Sequence, residues 1–421
     1  MKKVLIVDDS KTILNVFKLK FSQYQDIETI YAENYIDAMK IIRRHNKEID
    51  VALLDVSLPD APNGEIISLA TANNLPTIVL TGTLNQKIRE KIQNKHIISY
   101  ILKNKPSSID LAIKAVLSTL ENKNKTVLIV DDSPVSRKSL RKILEKMNLN
   151  VIETGNAYDA LDILKDTKVE ISIVITDYEM PQMNGLDLTI KIREMYNKDT
   201  LGILAISSLN NKNLIDDFLT FGANDFMNKD FIASEIIAKI NAMLELFDLF
   251  KQIRDIANKD YMTGAYNRRY FFNSGNAIFL KAKRKKSSIA IAMLDIDKFK
   301  NINDTYGHDI GDIAIKEVKR ILDATLRSSD LMARFGGEEF CILLEDISLE
   351  DTKKLFEKIK QKFEDNIINV NDTKIKYTVS FGIAYGMPNS LDDMIKLSDD
   401  ALYHSKENGR NQITVKENPI D

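Results

Sequence analysis

Short, unbroken apolar runs that stop at an acid or a hydroxyl recur through the first half of the chain. KVLIVDDS (Lys3 to Ser10) returns as TVLIVDDS (Thr126 to Ser133), an offset of 123 residues. Each run gives way to apolar positions at helical spacing: Ile13, Val16, Phe17 and Leu19 in the first copy, Leu140, Ile143 and Leu144 in the second. Further runs follow in the same order. VALLD ends at Asp55 and IVITD at Asp177; TIVLTG and GILAISS carry Thr81 and Ser207; YILK and DFMNK end at Lys103 and Lys229. Continuous apolar runs suit strands of a parallel sheet covered on both faces. Their alternation with helical segments predicts a doubly wound α/β domain, whose ligands bind beyond the carboxyl ends of the strands. A repeat this long is a duplicated domain, since solenoid periods are about 20–50 residues.

The pattern then changes. From Ile236 the apolar positions Ile240, Met243, Phe247, Phe250 and then Ala257 follow alternating four- and three-residue steps, interrupted only by Arg254. That spacing fits either a short coiled coil or an amphipathic helix lying on its own domain. SIAIAMLDID (Ser288 to Asp297) reads as another strand. RFGGEEF (Arg334 to Phe340) stands between the apolar runs LMA and CILLE, where Gly-Gly signals a tight hairpin.

The acids carry the chemistry. Strand ends that converge would gather Asp8, Asp9 and Asp55 with Thr81 and Lys103, and Asp131, Asp132 and Asp177 with Ser207 and Lys229. Three clustered carboxylates repel unless they hold a hard cation such as Mg²⁺. A carboxylate beside that ion is a nucleophile toward a phosphoryl donor. In the second half, a strand ending in Asp295 and a hairpin presenting Glu338 would place two carboxylates side by side, as metal-assisted phosphoryl chemistry on a triphosphate requires. LYHSKENGRN (Leu402 to Asn411) sets Lys406 and Arg410 four apart, and one helix face would aim both cations at phosphates. His308, with no cysteine or second histidine near it in sequence, reads as structural or hydrogen-bonding.

Composition alters this picture little. The chain has 421 residues, 44% hydrophobic and 29% charged, enough for two to four domains with their own cores. A formal net charge of −2 gives no support to nucleic-acid or anionic-membrane binding. KAKRKK (Lys281 to Lys286) reads as a solvated helix face. The single cysteine, Cys341, rules out an intrachain disulfide and fits a reducing compartment. MKKVLIVDDS is too short in apolar residues for a signal sequence, and no window reaches a membrane span. The expectation is a soluble, cytoplasmic protein.

With these motifs in view, residues 1–240 or so resemble two response-regulator receiver domains. The second copy is the closer match, with DYEMPQMNG after its central strand; the first reads DVSLPDAPNG, one residue longer. Asn104 and Asp230 follow the two lysines where the family usually has proline. The resemblance implies phosphorylation at Asp177, expected ahead of Asp55. In relatives with tandem receivers one copy often serves as a dimerisation adaptor.

DYMTGAYNRRYFF (Asp260 to Phe272), the Asp295 strand, KFKNINDTYGHDIGD and GGEEF together resemble the GGDEF diguanylate cyclases, over about residues 258–415. This implies Asp295, Glu338 and the Ile296 carbonyl as ligands of Mg²⁺ (or Mn²⁺), with Glu339 in support. Glu338 would also help deprotonate a ribose 3′-OH. Asn303 and Asp312 would read guanine, Lys300, Lys406 and Arg410 would bind phosphates, and Gly336 and Gly337 would let the nucleotide lie against the hairpin. Ser405 stands where the family usually has alanine. RSSD, with Arg327 and Asp330, matches the family's inhibitory site for cyclic di-GMP.

The whole resembles PleD-type response regulators. It predicts two flavodoxin-like receivers and an α+β domain akin to the nucleotide cyclase and polymerase palm. The expected boundaries are 1–121, 122–245, a helical linker 246–258, and 259–421. The implied partners are GTP, cyclic di-GMP as product and inhibitor, a cognate histidine kinase and a second copy of the chain. The alternative is a non-catalytic cyclic di-GMP-binding adaptor, against which the full set of metal and nucleotide residues weighs. A transcription factor would need a helix-turn-helix or basic reading element, which the sequence does not offer.

Overall fold

Each Asp-Asp-Ser corner ends a strand and starts a helix, because the serine hydroxyl takes up a backbone N–H that the first helical turn leaves free. Ser10 accepts from the Ile13 N–H, and Ser133 from that of Ser136. The computed structural model describes residues 1–45, 48–82, 97–105, 107–166, 168–209, 212–370, 373–387 and 389–418. It divides into two compact units, Met1–Phe250 and Lys251–Asp421.

The first unit holds two copies of one plan. Copy one runs β1 (Lys2–Val7), α1 (Lys11–Phe21), β2 (Ile27–Ala32), α2 (Tyr35–His45), β3 (Val51–Leu54), α3 (Glu65–Ala72), β4 (Thr77–Thr81), β5 (Ser99–Leu102) and α4 (Ser108–Glu121). Copy two runs β6 (Thr126–Val130), α5 (Pro134–Lys146), β7 (Asn150–Thr154), α6 (Ala157–Lys165), β8 (Ile171–Asp177), α7 (Gly185–Met195), β9 (Gly202–Ser207), α8 (Lys212–Thr220), β10 (Asp225–Asn228) and α9 (Ala233–Asn258), of which residues 251–258 belong to the second unit. The sheets are all parallel, in the orders β2-β1-β3-β4-β5 and β10-β9-β8-β6-β7. Both are the doubly wound arrangement, with its ligand crevice at the switch between the first and third strands. Register does the rest. Val7 pairs Leu54 and Val130 pairs Thr176, so Asp8 emerges beside Asp55 and Asp131 beside Asp177.

The copies share one apolar core. Phe17, Val116 and Leu120 of the first belong to the same buried cluster as Met147, Leu149, Ile236 and Ile240 of the second. Polar bonds reinforce the seam: Asn148 Nδ2 donates to the Asp50 carbonyl and Asn241 Nδ2 to that of Ile98, each at 3.0 Å. Of the two readings of the α9 stripe, the structure selects the helix lying on its own domain. Ile236, Ile240 and Met243 are buried, and Phe247 packs on the same core. Gly202 makes room for them, since a Cβ there would meet Met243 Cε at 2.7 Å.

The second unit contains β11 (Tyr266–Asn267), α10 (Arg268–Lys285), β12 (Ile289–Ile296), α11 (Phe299–Tyr306), α12 (His308–Asp323), β13 (Leu331–Gly336), β14 (Glu339–Glu345), α13 (Leu349–Asp365), β15 (Ile368–Val370), β16 (Thr373–Ile375), β17 (Val379–Gly386), α14 (Leu391–Glu407) and β18 (Ile413–Asn418). Its main sheet has the order β11-β13-β14-β12-β17-β18, antiparallel at the centre. Apolar clusters cover both faces. On one of them Phe356 packs on Phe381 with ring centroids 5.3 Å apart, and truncating either to alanine would cost about 3–5 kcal/mol. On the other, α14 lies directly on β17 because residue 382 is glycine: a Cβ would meet the Leu402 backbone nitrogen at 1.9 Å. That close approach brings Lys406 to the end of β12.

Candidate functional site

Both receiver-like crevices assemble as their sequences predict, and they differ in detail. Asp8, Asp9 and Asp55 each offer an oxygen within a 4.8 Å cluster, and so do Asp131, Asp132 and Asp177. In each cluster the second aspartate is exposed and the other two are buried. Burial and mutual repulsion of this kind suit a bound hard cation, so the donor set fits Mg²⁺.

In the first crevice Lys103 Nζ bonds both Asp8 Oδ2 (2.6 Å) and Asp55 Oδ2. The remaining oxygens are taken as well, Asp8 Oδ1 by the Ser10 N–H and Asp55 Oδ1 by the Ser57 N–H, both at 3.0 Å. Burial pushes the Asp8 carboxyl above its ordinary range, with Lys103 opposing. Burial also works against the Lys103 charge, and the two carboxylates outweigh it, leaving the ammonium above its usual value.

The second crevice is looser at the lysine and tighter around it. Lys229 Nζ lies 2.6 Å from Asp177 Oδ2 and 3.2 Å from Asp131 Oδ2. Asp177 Oδ1 is buried with no hydrogen bond of ordinary geometry, although the Glu179 N–H contributes weakly to favouring its charge. Burial raises the Asp177 carboxyl against the pull of Lys229. Ser136 Oγ donates to Asp131 Oδ2 at 2.6 Å, and Arg137 Nη1 to the carbonyls of Asp131 (2.6 Å) and Asp132 (3.2 Å). The matching positions of the first copy are Ile13 and Leu14. Thr81 and Ser207 are buried, each passing its carbonyl to the N–H of the following lysine, Lys103 or Lys229.

In the second unit, β12 places Asp295 opposite Glu339 on β14 and Ser380 on β17, and Ile296 closes the strand. Burial pushes Asp295 up to about 6; Lys406 pulls the other way, and the Glu338 and Glu339 charges add to the rise. Lys406 Nζ is 2.8 Å from Asp295 Oδ2, a cation already drawn to the strand end. The hairpin differs slightly from expectation. β13 extends through Gly336, so the turn is Gly337-Glu338, with φ +39° at Gly337 and open space beside both glycines.

Gly307, at φ +87°, is the single residue between α11 and α12, and the sharp corner brings Asn303 and Asp312 onto neighbouring helices. Asn303 Oδ1 is buried without a partner. Lys300 is exposed on α11. One expectation needs correction: Lys406 and Arg410 do not share a helix face. The helix stops at Glu407, and Arg410 sits in a left-handed turn at φ +65°. Ser405, the departure from alanine, is accommodated because its hydroxyl donates to the Phe381 carbonyl and also bonds Thr414 Oγ1, both at 2.7 Å. Arg327 and Asp330 form a closed turn, the Arg327 N–H on Asp330 Oδ2 at 2.8 Å, beside a cavity of about 230 Å³.

The sequence reading missed Arg334. Its Nε and Nη2 hold the Gly337 carbonyl (2.9 and 2.7 Å), and its Nη1 bonds Asp260 Oδ1 at 2.9 Å. Asp260 also accepts from the N–H and hydroxyl of Thr263. These donors outweigh burial and hold the Asp260 carboxyl below its usual range. The available signal was the Asp-x-x-Thr turn of DYMTG together with an arginine at the hairpin's foot.

Comparison with known proteins follows the same division. The response regulator receiver domain profile matches residues 4–114 and 127–241. The profile described as "Diguanylate cyclase, GGDEF domain" matches residues 257–412. The chain belongs to the response-regulator receiver family and carries a GGDEF domain. "Response regulator PleD" of Caulobacter vibrioides is 23% identical over 98% of this chain and 99% of its own length. "Probable diguanylate cyclase DgcT" of Escherichia coli K12 is 37% identical over 44% of this chain, which covers 42% of that relative. A solved structure titled "Structure of probable two-component system response regulator/GGDEF domain protein" is 32% identical over 59% of this chain and 100% of its own, with a TM-score of 0.48. GGDEF diguanylate cyclases are metal-dependent in general, and the family and its relatives support diguanylate cyclase activity for this response regulator. Among the described residues, no helix is long and apolar enough to cross a membrane.

Proposed function

We propose that this response regulator condenses two GTP molecules into cyclic di-GMP and two pyrophosphates. The observation that carries the proposal is Asp295 beside the Glu338-Glu339 hairpin, with Lys406 drawn onto it, in a chain whose other end is two receiver crevices. Asp295, the Ile296 carbonyl and Glu338 would hold Mg²⁺ or Mn²⁺, with Glu339 in support; bound there, the ion neutralises charge on the triphosphate. Asn303 and Asp312 select guanine. Lys300, Lys406 and Arg410 orient the phosphates, and Gly336 and Gly337 leave room for the nucleotide.

Glu338 accepts the proton of a ribose 3′-OH as that oxygen bonds the α-phosphorus of a second GTP. The bond from that phosphorus to the bridging oxygen breaks, and pyrophosphate leaves. Each of two domains would supply one GTP, so the reaction needs a two-fold homodimer. A helix face suited to it is Leu246, Leu249, Ile253 and Ile256, exposed by 44%, 45%, 60% and 82% at three–four–three spacing on α9. This is a different face from the stripe buried on the receiver.

A histidine kinase would supply the phosphoryl group. Asp177 is the favoured acceptor because DYEMPQMNG follows the receiver pattern more closely and its Oδ1 is the more lightly held, and Asp55 is second to it. Thr81, Lys103, Ser207 and Lys229 would answer the phosphoryl oxygens, and the phosphorylated state would favour the dimer. Arg327 and Asp330 would bind product and restrain activity. The working boundaries are 1–121, 122–245, 246–258 and 259–421, and GTP as substrate places the enzyme in the cytoplasm.

The test is purified protein incubated with GTP and Mg²⁺, with and without beryllofluoride, the nucleotides being resolved by chromatography. Cyclic di-GMP that rises with beryllofluoride is the expected result. A folded, dimeric sample that makes none in either condition would refute the proposal.

A further inference from the structure

Asp297, one residue past β12, is 7% exposed and fully engaged. Its Oδ1 accepts from Ser380 Oγ at 2.6 Å. Its Oδ2 accepts from Thr378 Oγ1 at 2.6 Å and from the Asn411 backbone N–H at 2.9 Å. The last of these bonds reaches across to the turn after α14. There Gly409, Arg410 and Asn411 stand in succession at φ +113°, +65° and +50°. Non-glycine L-residues seldom hold such a conformation, and two together persist only where the surroundings over-determine them.

Three anchors do so here. The Arg410 N–H bonds the Ser405 carbonyl at 3.0 Å, Asn411 Nδ2 bonds Glu364 at 2.7 Å, and Asp297 takes the Asn411 N–H. Asp297 alone among these acceptors is attached to the strand that carries Asp295. It therefore fixes where Arg410 stands relative to that strand end. Both residues border a cavity of about 440 Å³, together with Lys298 and Lys376.

We propose that Asp297 is a positioning residue. It holds the Gly409–Asn411 turn and so aims the Arg410 guanidinium at the β- and γ-phosphates of the bound nucleotide. This rests on the reading of Arg410 as a phosphate ligand. An asparagine at 297 keeps the shape but has no charge and one acceptor oxygen where three donors converge, so a hydroxyl must turn round to accept and the tie of the turn to the strand weakens.

The experiment compares Asp297→Asn, Arg410→Ala and the double variant in the full chain, by steady-state kinetics with GTP and by calorimetric binding of GMP, which lacks the two outer phosphates. Each single change is expected to raise the GTP KM about tenfold with kcat little altered, the signature of a lost binding contact to a charged group. The double variant should be no worse than Arg410→Ala, because both changes remove one unit. GMP affinity should stay within about twofold in all three, a small free-energy change.

A parental GTP KM in Asp297→Asn, multiplying effects in the double variant, or an equal loss of GMP affinity would each overturn the assignment. An Arg410→Ala protein with normal GTP KM would instead remove the phosphate reading, and the aiming role with it. If Asp297→Asn does not fold, Thr378→Val and Ser380→Ala each remove one hydroxyl bond. Either should raise the GTP KM about threefold and leave GMP binding unchanged, in line with loss of a modest hydrogen bond; unchanged KM in both would also overturn it.

Discussion

The two receivers start from nearly one sentence of sequence, KVLIVDDS and TVLIVDDS, and arrive at unequal acid clusters. In the first, every oxygen of the two buried aspartates is spoken for, and one lysine clasps both carboxylates. In the second, the lysine leans on Asp177, whose Oδ1 has only a weak contact with the Glu179 N–H, while Ser136 and Arg137 tie Asp131 from the other side. A nucleophile gains from a lightly held oxygen and a fixed neighbour, and the second crevice comes nearer to offering both. The lesson is that a motif gathers the reactive groups, whereas residues four and five positions further along decide how those groups are held.

The largest effect expected from this comparison is on control of the enzyme. Asp177→Asn should abolish the beryllofluoride-dependent rise in cyclic di-GMP synthesis, and Asp55→Asn should leave most of it. The assay is the rate of product formation with and without beryllofluoride. A reversed pattern would mean that the closed crevice is the one that receives the phosphoryl group.

Next in size is stability. Lys103→Met strands two buried carboxylates with no cation, and breaking such an arrangement costs about 3–5 kcal/mol. Lys229→Met should cost less, about 1–3 kcal/mol, because its contact with Asp131 is long and Ser136 still serves that acid. Urea titration of each variant without divalent ions gives both numbers. Equal losses would show that the second lysine is as firmly clasped as the first, and the contrast between the crevices would fail.

Much of this was legible beforehand because strand ends are marked twice, by the halt of an apolar run and by the acid that halts it. Asp8, Asp55, Asp131, Asp177 and Asp295 all lie where that rule places them. Three things were not legible. The α9 stripe reads equally well as a coiled coil or a docked helix, since the two differ only in what lies opposite, and Gly202 settled it by making room. Arg410 looked helical because spacing says nothing about a helix that stops three residues earlier. Arg334 and Asp297 act through partners remote in sequence, Asp260 and Asn411, and no local pattern announces such a pairing.

The smallest prediction tests the neighbours alone. Ser136→Ala removes the hydroxyl bond to Asp131 but leaves every carboxylate, the lysine and the fold in place, so stability should change by about 1 kcal/mol or less. Phosphorylation of Asp177 by a small phosphoryl donor should nonetheless slow by about threefold to tenfold, because a misplaced acid costs rate more than it costs folding. The equivalent change in the first receiver, Ile13→Ser, adds a hydroxyl beside Asp8 but leaves Lys103 clasping both carboxylates. It should not confer phosphorylation on Asp55 in an Asp177→Asn background. Labelling at Asp55 in that protein would show that the side chain four residues after the acid pair, and not the lysine clasp, is what separates the two receivers.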